Sequence, residues 1–578
     1  MILDLRKEAE TRAAGSRQEI LLALLPFWNP LIPPLGISCL KAYLEPHGFS
    51  VKTVDANIEQ SFRNIYDRYF AALAGMIPDT KKGNFNNIGM DVMRNQLMAK
   101  LHYRTNEQYI RLIQVVIQRT FFCEVASENI TVLIEIIDEF YILLEDYVLD
   151  LLDRCKPDVF GVSVFDGTLP AAMFAFELAK RKYPQIKTVM GGGVFADDLK
   201  PGSPNFEYFL QLTPYIDKII VGEGEGLFLK VLEEELETRR RVYTFQDLEG
   251  KVMNIKTAVI PDFSDFDLEY YPHITTYTSR SCPFMCSFCS ETVMWGNFRK
   301  KDKKQIVEEL TTLYRNYGKQ LFLMGDSLLN PVITEMAQEF AETDLSIYWD
   351  GHLRVEKKAC SVENTMLWRR GGFYRARMGI ESGSQRVLDL MDKKITVNQI
   401  KDTLSSLAFA GIKTTTFWVV GFPGETEEDF VETLRLIEEN RDNIYEAWSS
   451  PFNYYYSGQV NSEAWQQEGE RVLRYPAEMK ELLIVQSWDL EVSPNREEIY
   501  SRLNRFVQHC VSLGIPTSIS SLHDVHLADE RWKGLHKNAV PSLLEFQKNN
   551  DYLKENKLVK SLLLARADDE PDGDWNFD

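Results

Sequence analysis

The stretch "TSRSCPFMCSFCSETVMWG", residues 278–296, places three of the chain's eight cysteines within eight positions: Cys282, Cys286 and Cys289. Three thiolates on one loop call for a metal that accepts soft sulfur donors. Zinc is one, but structural zinc is four-coordinate and usually closed by a second Cys/His pair. No C-x-x-C or H-x-x-x-H follows at a suitable distance, and His273, just before an expected strand, reads as a surface residue. A cubane iron–sulfur cluster suits the triplet better, since its irons take Cys thiolates. Three ligands would leave one iron without a protein donor. Zinc and unligated cysteines stay open as alternatives at this point.

Outward from the loop, the sequence alternates between apolar strands and helices. Strands are expected at "ITTYTSR", "QLFLMGD", "SIYWDGHLR", "YRARMGIES", "KTTTFWVVGFPGE" and "YEAWSSPFNYYY", with helices such as "KQIVEELTTLYRNYG" and "ITEMAQEFAE" between them. Six strand–helix units over 273–456 predict an open or closed (β/α)6 barrel, whose site would lie at the carboxyl ends of the strands. Upstream, a second alternation runs through "EILLALLPF", "ISCLKAYLEPHG", "SVKTVDAN", "PDVFGVSVFDG", "LPAAMFAFELAKRKYP", "KTVMGGG" and "DKIIVGEGE". It predicts a doubly wound parallel sheet over residues 18–245. Residues 57–150 interrupt it with apolar, charged sequence such as "VLIEIIDEFYILLEDYVLDLL", too long and apolar for a flexible loop. A helical insertion beside the substrate cleft is the expectation. Residues 246–272 read as a linker, 1–17 as a tail, and 457–578 as a helix-rich region with the acidic end "ADDEPDGDWNFD".

Composition narrows the function classes. The formal net charge is −20, from 65 basic and 85 acidic residues, which argues against a broad nucleic-acid surface. The basic run "FRKKDKK", 298–304, reads as a solvated helix entry. The longest apolar run, "ILLALLPFW", is about half a membrane span, so no membrane partner is expected. Cys39, Cys123, Cys155, Cys360 and Cys510 are scattered rather than dense, which favours a reducing, cytoplasmic setting over a disulfide framework.

The spacing C-x3-C-x2-C, with Phe288 just before the third cysteine, resembles the signature of the radical S-adenosylmethionine (SAM) superfamily. The resemblance implies a [4Fe-4S] cluster on Cys282, Cys286 and Cys289, with SAM chelating the open iron. Further motifs match in the family's order. "MGDS" (324–327) stands where the family has Gly-Gly-Glu, which implies that Gly325 and Asp326 meet the SAM amino group; Asp is one carbon shorter than the usual Glu. "HLR" implies that Arg354 pairs with the SAM carboxylate. "GIESGSQRVLDLM" (379–391) implies ribose or carboxylate contacts from Glu381 and Ser382. "VVGFPGETEEDF" (419–430) implies backbone beside the adenine at Val419 and Gly421.

The front domain is similar to the cobalamin-binding domain of one large radical SAM class. The similarity lies in "PPLG", "PDVFGVSV", "VMGGG" and "VGEGE". It implies corrinoid contacts from Pro34, Leu35, Gly36, Ser163, Val164, Gly191, Gly192, Gly193, Gly222, Glu223 and Gly224. The D-x-H-x-x-G motif that supplies a cobalt-binding histidine elsewhere is absent. "NYYYSG" (453–458) closes the last barrel strand, and Tyr454 and Tyr456 there either face substrate or pack. His523 and His526 read as surface residues, and Trp295 as a lid over the cluster loop.

Together the resemblances imply a cobalamin-dependent radical SAM C-methyltransferase that acts on an unactivated carbon of a natural-product or peptide substrate. Its electron would come from a flavodoxin- or ferredoxin-like donor. A radical oxidation, ring contraction or rearrangement is the first alternative. A non-catalytic iron–sulfur or cobalamin-binding regulator is the second.

Overall fold

The computed structural model describes residues 18–28, 32–102, 106–196, 199–250, 252–454, 473–474, 489–490, 492–517 and 522–539. The expected N-terminal tail, Tyr456 and the acidic end lie outside them. Strand β1 (Glu19–Leu24) is buried at every position after the first, as a central strand covered on both faces must be. With β2 (Ser50–Asp55), β3 (Val159–Ser163), β4 (Lys187–Gly191), β5 (Lys218–Ile220) and β6 (Val242–Tyr243) it forms one sheet in the order β2-β1-β3-β4-β5-β6. Every pairing is parallel. The strand order reverses at β1, and a crevice opens beyond the carboxyl ends of β1 and β3, as is usual at such a switch point. The short β6 was not foreseen; its two residues carry too little pattern to mark a strand.

Between β2 and β3 lie four helices, Gln60–Met76, Phe85–His102, Asn106–Phe121 and Ser127–Cys155. The insertion is helical as expected, but its last helix runs to Cys155, past residue 150. That helix has 29 residues, about 44 Å at 1.5 Å per residue. Among the described residues, no helix is long and apolar enough to cross a membrane. The bundle packs on the first sheet's helix Leu169–Lys182, with the Tyr141 and Phe174 rings 5.0 Å apart. It also reaches the second half of the chain. Asn84 donates to the Ser449 carbonyl at 2.8 Å, Arg496 to the Arg119 carbonyl at 3.1 Å, and Phe122 meets Tyr500 at 5.5 Å.

Residues 246–272 are not a free tether. Asp265 accepts from Lys41 (2.6 Å), Lys52 (3.0 Å) and the Thr53 amide (2.9 Å), and Tyr271 donates to buried Asp55 at 2.7 Å. Phe263 and Tyr271 join one apolar core that runs through both halves of the chain.

The second half begins with β7 (Ile274–Thr276), followed by a small antiparallel ribbon of β8 (Ser279–Arg280) and β9 (Arg299–Lys300). Then come β10 (Leu321–Met324), β11 (Tyr348–Leu353), β12 (Phe373–Glu381), β13 (Lys413–Val420) and β14 (Glu446–Pro451). Their order is β14-β13-β12-β11-β10-β7, all parallel. Among the described residues β14 and β7 do not pair, so the arc is an open six-stranded barrel. Capping boxes start two of its helices, Thr396 with Gln399 and Thr426 with Asp429.

Burial alternates along these strands in a telling way. Phe322, Trp349, Leu353, Ala376, Met378, Ile380, Trp418 and Val420 point outward under the helices and are buried. The inward positions Leu323, Arg377, Gly379, Phe417, Val419, Trp448 and Ser450 are only half-buried, and His352 is exposed. The arc therefore surrounds a hollow that solvent reaches.

The C-terminal region carries helices Arg496–Ser512 and Leu522–Leu535, plus an unforeseen antiparallel pair, Leu473–Arg474 with Asp489–Leu490. Asp529 pairs with Lys413 and accepts from Tyr445 at 2.9 Å, which fixes the last helix at the amino end of β13. His523 and His526 are exposed on that helix, as expected. His273 is not a surface residue: it is buried, with Nε2 2.9 Å from the Tyr374 hydroxyl, and burial pushes its pKa down to about 4.

Candidate active site

The cysteine loop leaves β8 through Ser281, whose φ is +69° and whose hydroxyl donates to the Gly296 carbonyl at 2.6 Å. The β8–β9 ribbon closes its base, and the Ser287 amide donates to the Met391 carbonyl at 2.9 Å. All three thiols are free, and Cys286 is buried. Burial raises the Cys282 thiol and pushes Cys289 up to about 12, with each neighbouring cysteine adding to the rise. Thiolates here need a cationic centre to hold them ionised. Among the described residues, no three His, Cys, Asp or Glu side chains gather about a point that one ion would fill.

Arg354, just past β11, is the buried cation beside the loop. Asn330 clamps its backbone from both sides, accepting from the amide at 2.8 Å and donating to the carbonyl at 3.0 Å. Its guanidinium lies 4.0 Å from the Phe284 ring centroid, and Nη1 is 3.4 Å from the Cys286 sulfur. Among the described residues, Nη2 is buried with no hydrogen-bond partner. A buried guanidinium with spare donors and no carboxylate is costly unless an anion completes it. The donor set thus fits three iron-bound thiolates and the carboxylate of a ligand on the fourth iron.

The other expected SAM contacts divide. Gly325 is exposed at the end of β10. Asp326 is turned away: its carboxylate accepts from the Thr278 amide (2.9 Å), the Thr278 hydroxyl (2.7 Å) and the Ser279 hydroxyl (2.5 Å), and braces the strand that leads into the cysteine loop. A carboxylate does stand nearby in Glu291, two residues past Cys289 and hydrogen-bonded by Ser327. Ser382 is fully buried and contacts Thr433, which ties β12 to the helix Glu427–Glu439. Glu381, with φ +70°, is held by buried Lys393 at 2.6 Å. Lys393 also lies 5.6 Å from the Phe288 ring. Sequence reasoning missed Lys393, because "MDKKIT" reads as a polar helix end.

Val419 and Phe288 pack with Val387, Met391, Phe422 and Tyr454 in one apolar cluster beside the cysteine loop. Tyr454 is therefore a packing residue of the wall. Gly421 has φ +82°, and a β-carbon there would lie 2.2 Å from Ile499. Its amide donates to Glu425, whose partner is Arg502 at 2.9 Å. "FRKKDKK" is not simply solvated: Lys301 is buried against Glu309 at 2.6 Å, and Arg299 pairs with Glu223 at 2.9 Å.

The front crevice is lined by main chain. Gly36 and Gly222 are exposed, with open space above Gly222 and only the Ser163 hydroxyl, 4.0 Å away, near Gly36. Pro34 is buried and its carbonyl accepts from the Ser38 hydroxyl at 2.8 Å, while the Val164 amide donates to the Gly191 carbonyl at 2.7 Å. Gly193 lies against the Phe165 ring, and that ring stacks on Trp28 at 4.1 Å and 19°. The Trp28–Phe165 wall was missed; nothing within "PFWNP" alone shows what the indole meets. Such a cradle of glycine backbone with room above it fits a bulky planar group. Glu223 does not line it freely. It pairs with Arg280 (3.4 Å) and Arg299, while Glu225 takes the other arm of Arg280 at 3.4 Å. Arg280 also lies 5.3 Å from Trp295, making that indole part of an ion-pair strut between the crevice and the cysteine loop. Gly224 begins the helix Gly224–Leu232, beside Leu40. Leu35 reaches across to within 3.8 Å of a β-carbon built on Gly325. The carboxyl ends of the two sheets thus face each other.

Gly192 has φ +118°, and a β-carbon there would sit 2.4 Å from the Val164 carbonyl oxygen. Gly192→Ala is expected to destabilise the chain by roughly 1–3 kcal/mol through backbone strain alone, read as a lower urea midpoint. Gly222→Ala, which meets no atom, separates the steric cost from the cost of the left-handed conformation.

Residues 276–437, which hold the cysteine loop and the open barrel, match the family model of the Radical SAM superfamily. Among characterised proteins, the chain is 26% identical over 358 residues to the anaerobic magnesium-protoporphyrin IX monomethyl ester cyclase of Rubrivivax gelatinosus, over 57% of this chain and 62% of that one. It is 23% identical over 311 residues to the cobalamin-dependent radical SAM methyltransferase TokK of Streptomyces tokunonensis, covering 48% and 44% of the two chains. In fold it resembles the radical SAM methyltransferase TsrM of Kitasatospora setae, solved with tryptophan and a SAM analogue. That match has a TM-score of 0.58 at 14% identity and covers 93% of this chain and 99% of that one. The chain spans about half to two thirds of the curated relatives it matches.

Proposed function

We propose that this chain is a cobalamin-dependent radical SAM enzyme that methylates an unactivated carbon of a small-molecule or peptide substrate in a reducing, cytoplasmic setting. The observation that carries the reading is Arg354: a buried guanidinium with an unsatisfied Nη2, beside Cys286, in a site that faces a glycine-lined crevice. When bound, cluster and SAM supply an organic radical by one-electron cleavage, and the corrinoid supplies a methyl group. The rest falls to the chain. Cys282, Cys286 and Cys289 hold the cluster, and Arg354 orients the SAM carboxylate through its planar fork. Phe288 and Val419 exclude water from the reacting carbon. The backbone at Gly36, Gly191 and Gly222 would hold the corrinoid, and Leu35 stands where the carboxyl ends of the two sheets meet. An external flavodoxin- or ferredoxin-like protein delivers the electron.

Arg354→Met is expected to weaken SAM binding about 10–100-fold, the loss of one charge-assisted hydrogen bond at roughly 1.5–3 kcal/mol. The measurement is SAM titration of the reconstituted protein. Methyl transfer itself is tested by product stoichiometry and corrinoid analysis after anaerobic purification. It requires S-adenosylhomocysteine and 5′-deoxyadenosine together. The similarity to a cyclase supports a second reading, a radical oxidation or rearrangement without methylation. A competent turnover giving 5′-deoxyadenosine alone selects that one.

A further inference from the structure

Below Arg354 the open barrel holds a group that the proposed chemistry does not use. On β11 the side chains of Asp350, His352 and Arg354 alternate inward with Trp349, Gly351 and Leu353 outward. His352 is exposed by area, yet its surroundings desolvate it and lower its pKa. Both are true of a side chain that lines an internal hollow. Its Nδ1 is 3.1 Å from the Asp326 carbonyl. A carbonyl can only accept, so Nδ1 carries the proton and Nε2 keeps its lone pair.

The charged neighbours are ion-paired or hydrogen-bonded, and of their oxygens Asp350 Oδ1 is enclosed without a partner among the described residues. Arg377, opposite on β12, binds Asp350 at 2.7 Å. Arg375 binds Glu446 at 2.6 Å, and the Asp326 carboxylate is occupied by Thr278 and Ser279. The Phe417 ring lies 6.0 Å from the imidazole, and Trp448 is its register partner on β14. The Trp448 indole N–H donates to Glu446 and is unavailable to a ligand.

We propose that this hollow binds the substrate, and that it selects a flat group bearing an O–H or N–H donor, which lies against Phe417 and donates to Nε2 of His352. The inference rests on the reading of the chain as an enzyme, but its test does not depend on that chemistry. Neutral imidazole beside an aromatic wall rewards an aromatic donor and leaves a donorless ring of the same shape without its polar contact. His352 is thus a specificity-determining residue, one layer beneath the SAM carboxylate site.

The test uses the full-length chain, purified anaerobically and labelled with 13C at histidine Cε1, with the His352 resonance assigned from His352→Gln. Phenol and indole are the probes, and benzene is the donorless control. Phenol and indole should shift the His352 resonance in a saturable way, with benzene binding more weakly and shifting it little. His352→Leu should weaken phenol about 3–10-fold, as expected for one neutral hydrogen bond, and leave benzene unchanged. His352→Gln, which keeps an acceptor, should retain most of the phenol affinity. Equal binding of phenol and benzene, no shift at His352, or unchanged phenol affinity in His352→Leu would each overturn the proposal. None of these outcomes bears on whether methyl transfer occurs, so the two readings fail separately. If His352→Leu does not fold, the wild-type resonance and the Gln variant still decide.

Discussion

Cys286→Ala is expected to abolish reductive cleavage of SAM and to leave the protein without a full cluster. Of the three loop cysteines it is the buried one, and its sulfur is within 3.4 Å of the Arg354 guanidinium. Removing it takes one iron's only protein ligand and strands a buried cation whose Nη2 is already unpartnered. A serine does not restore the site, because a hydroxyl is a poor substitute for a thiolate on iron. Iron and sulfide content and visible absorption should fall together, and 5′-deoxyadenosine production should fall to the background of reactions without dithionite. Cys360→Ser is the matched control. Cys360 is half-buried elsewhere, near the Glu356 carbonyl and the Thr403 hydroxyl, and should leave all of these unchanged. A protein that still cleaves SAM as Cys286→Ala would remove the cluster assignment. A wild-type chain that holds iron but never cleaves SAM would favour a regulator.

Lys393→Met is expected to cost about 3–5 kcal/mol of stability, because breaking a buried ion pair leaves the other charge without compensation. The pair with Glu381 is 2.6 Å long, and both side chains are about nine-tenths buried. Glu381 already sits at φ +70°, a region that non-glycine residues rarely adopt, so its carboxylate is held against both charge and backbone preference. The loss should show as a lower urea midpoint with little change in slope. The double variant Lys393→Met/Glu381→Gln should recover a large part of it, since no uncompensated charge remains. Recovery in stability without recovery in SAM affinity would show that the pair also shapes the ligand site. Equal midpoints for wild type and Lys393→Met would mean that Glu381 reaches water.

What the sequence made legible follows from range. The cysteine spacing, the strand–helix alternation and the glycines at strand ends are local patterns, and the two parallel sheets follow from them. "HLR" ends a strand beside the cysteine loop, so the place of Arg354 was legible. The partners of Asp326, Ser382 and Glu223 were not, for one shared reason: Thr278, Thr433 and Arg280 lie 48, 51 and 57 residues away. A polar residue in a familiar motif looks free to meet a ligand until a distant side chain is seen to hold it. His352 went unread for the opposite reason. Its exposure is internal, and only the curvature of the sheet makes an exposed strand residue face inward.

The helical insertion has a consequence beyond filling space. The two sheets are connected through residues 246–272, through the ion pairs of Glu223 and Glu225 with Arg280 and Arg299, and again through the bundle, which touches Phe174 on one side and Ser449, Arg496 and Tyr500 on the other. Attachments at several places make a clasp, where one would make a hinge. Swinging the halves apart would mean peeling aromatic and hydrogen-bonded contacts from one of them. Such a clasp opposes hinge opening, so access to the space between the halves is expected through movements of individual loops and side chains.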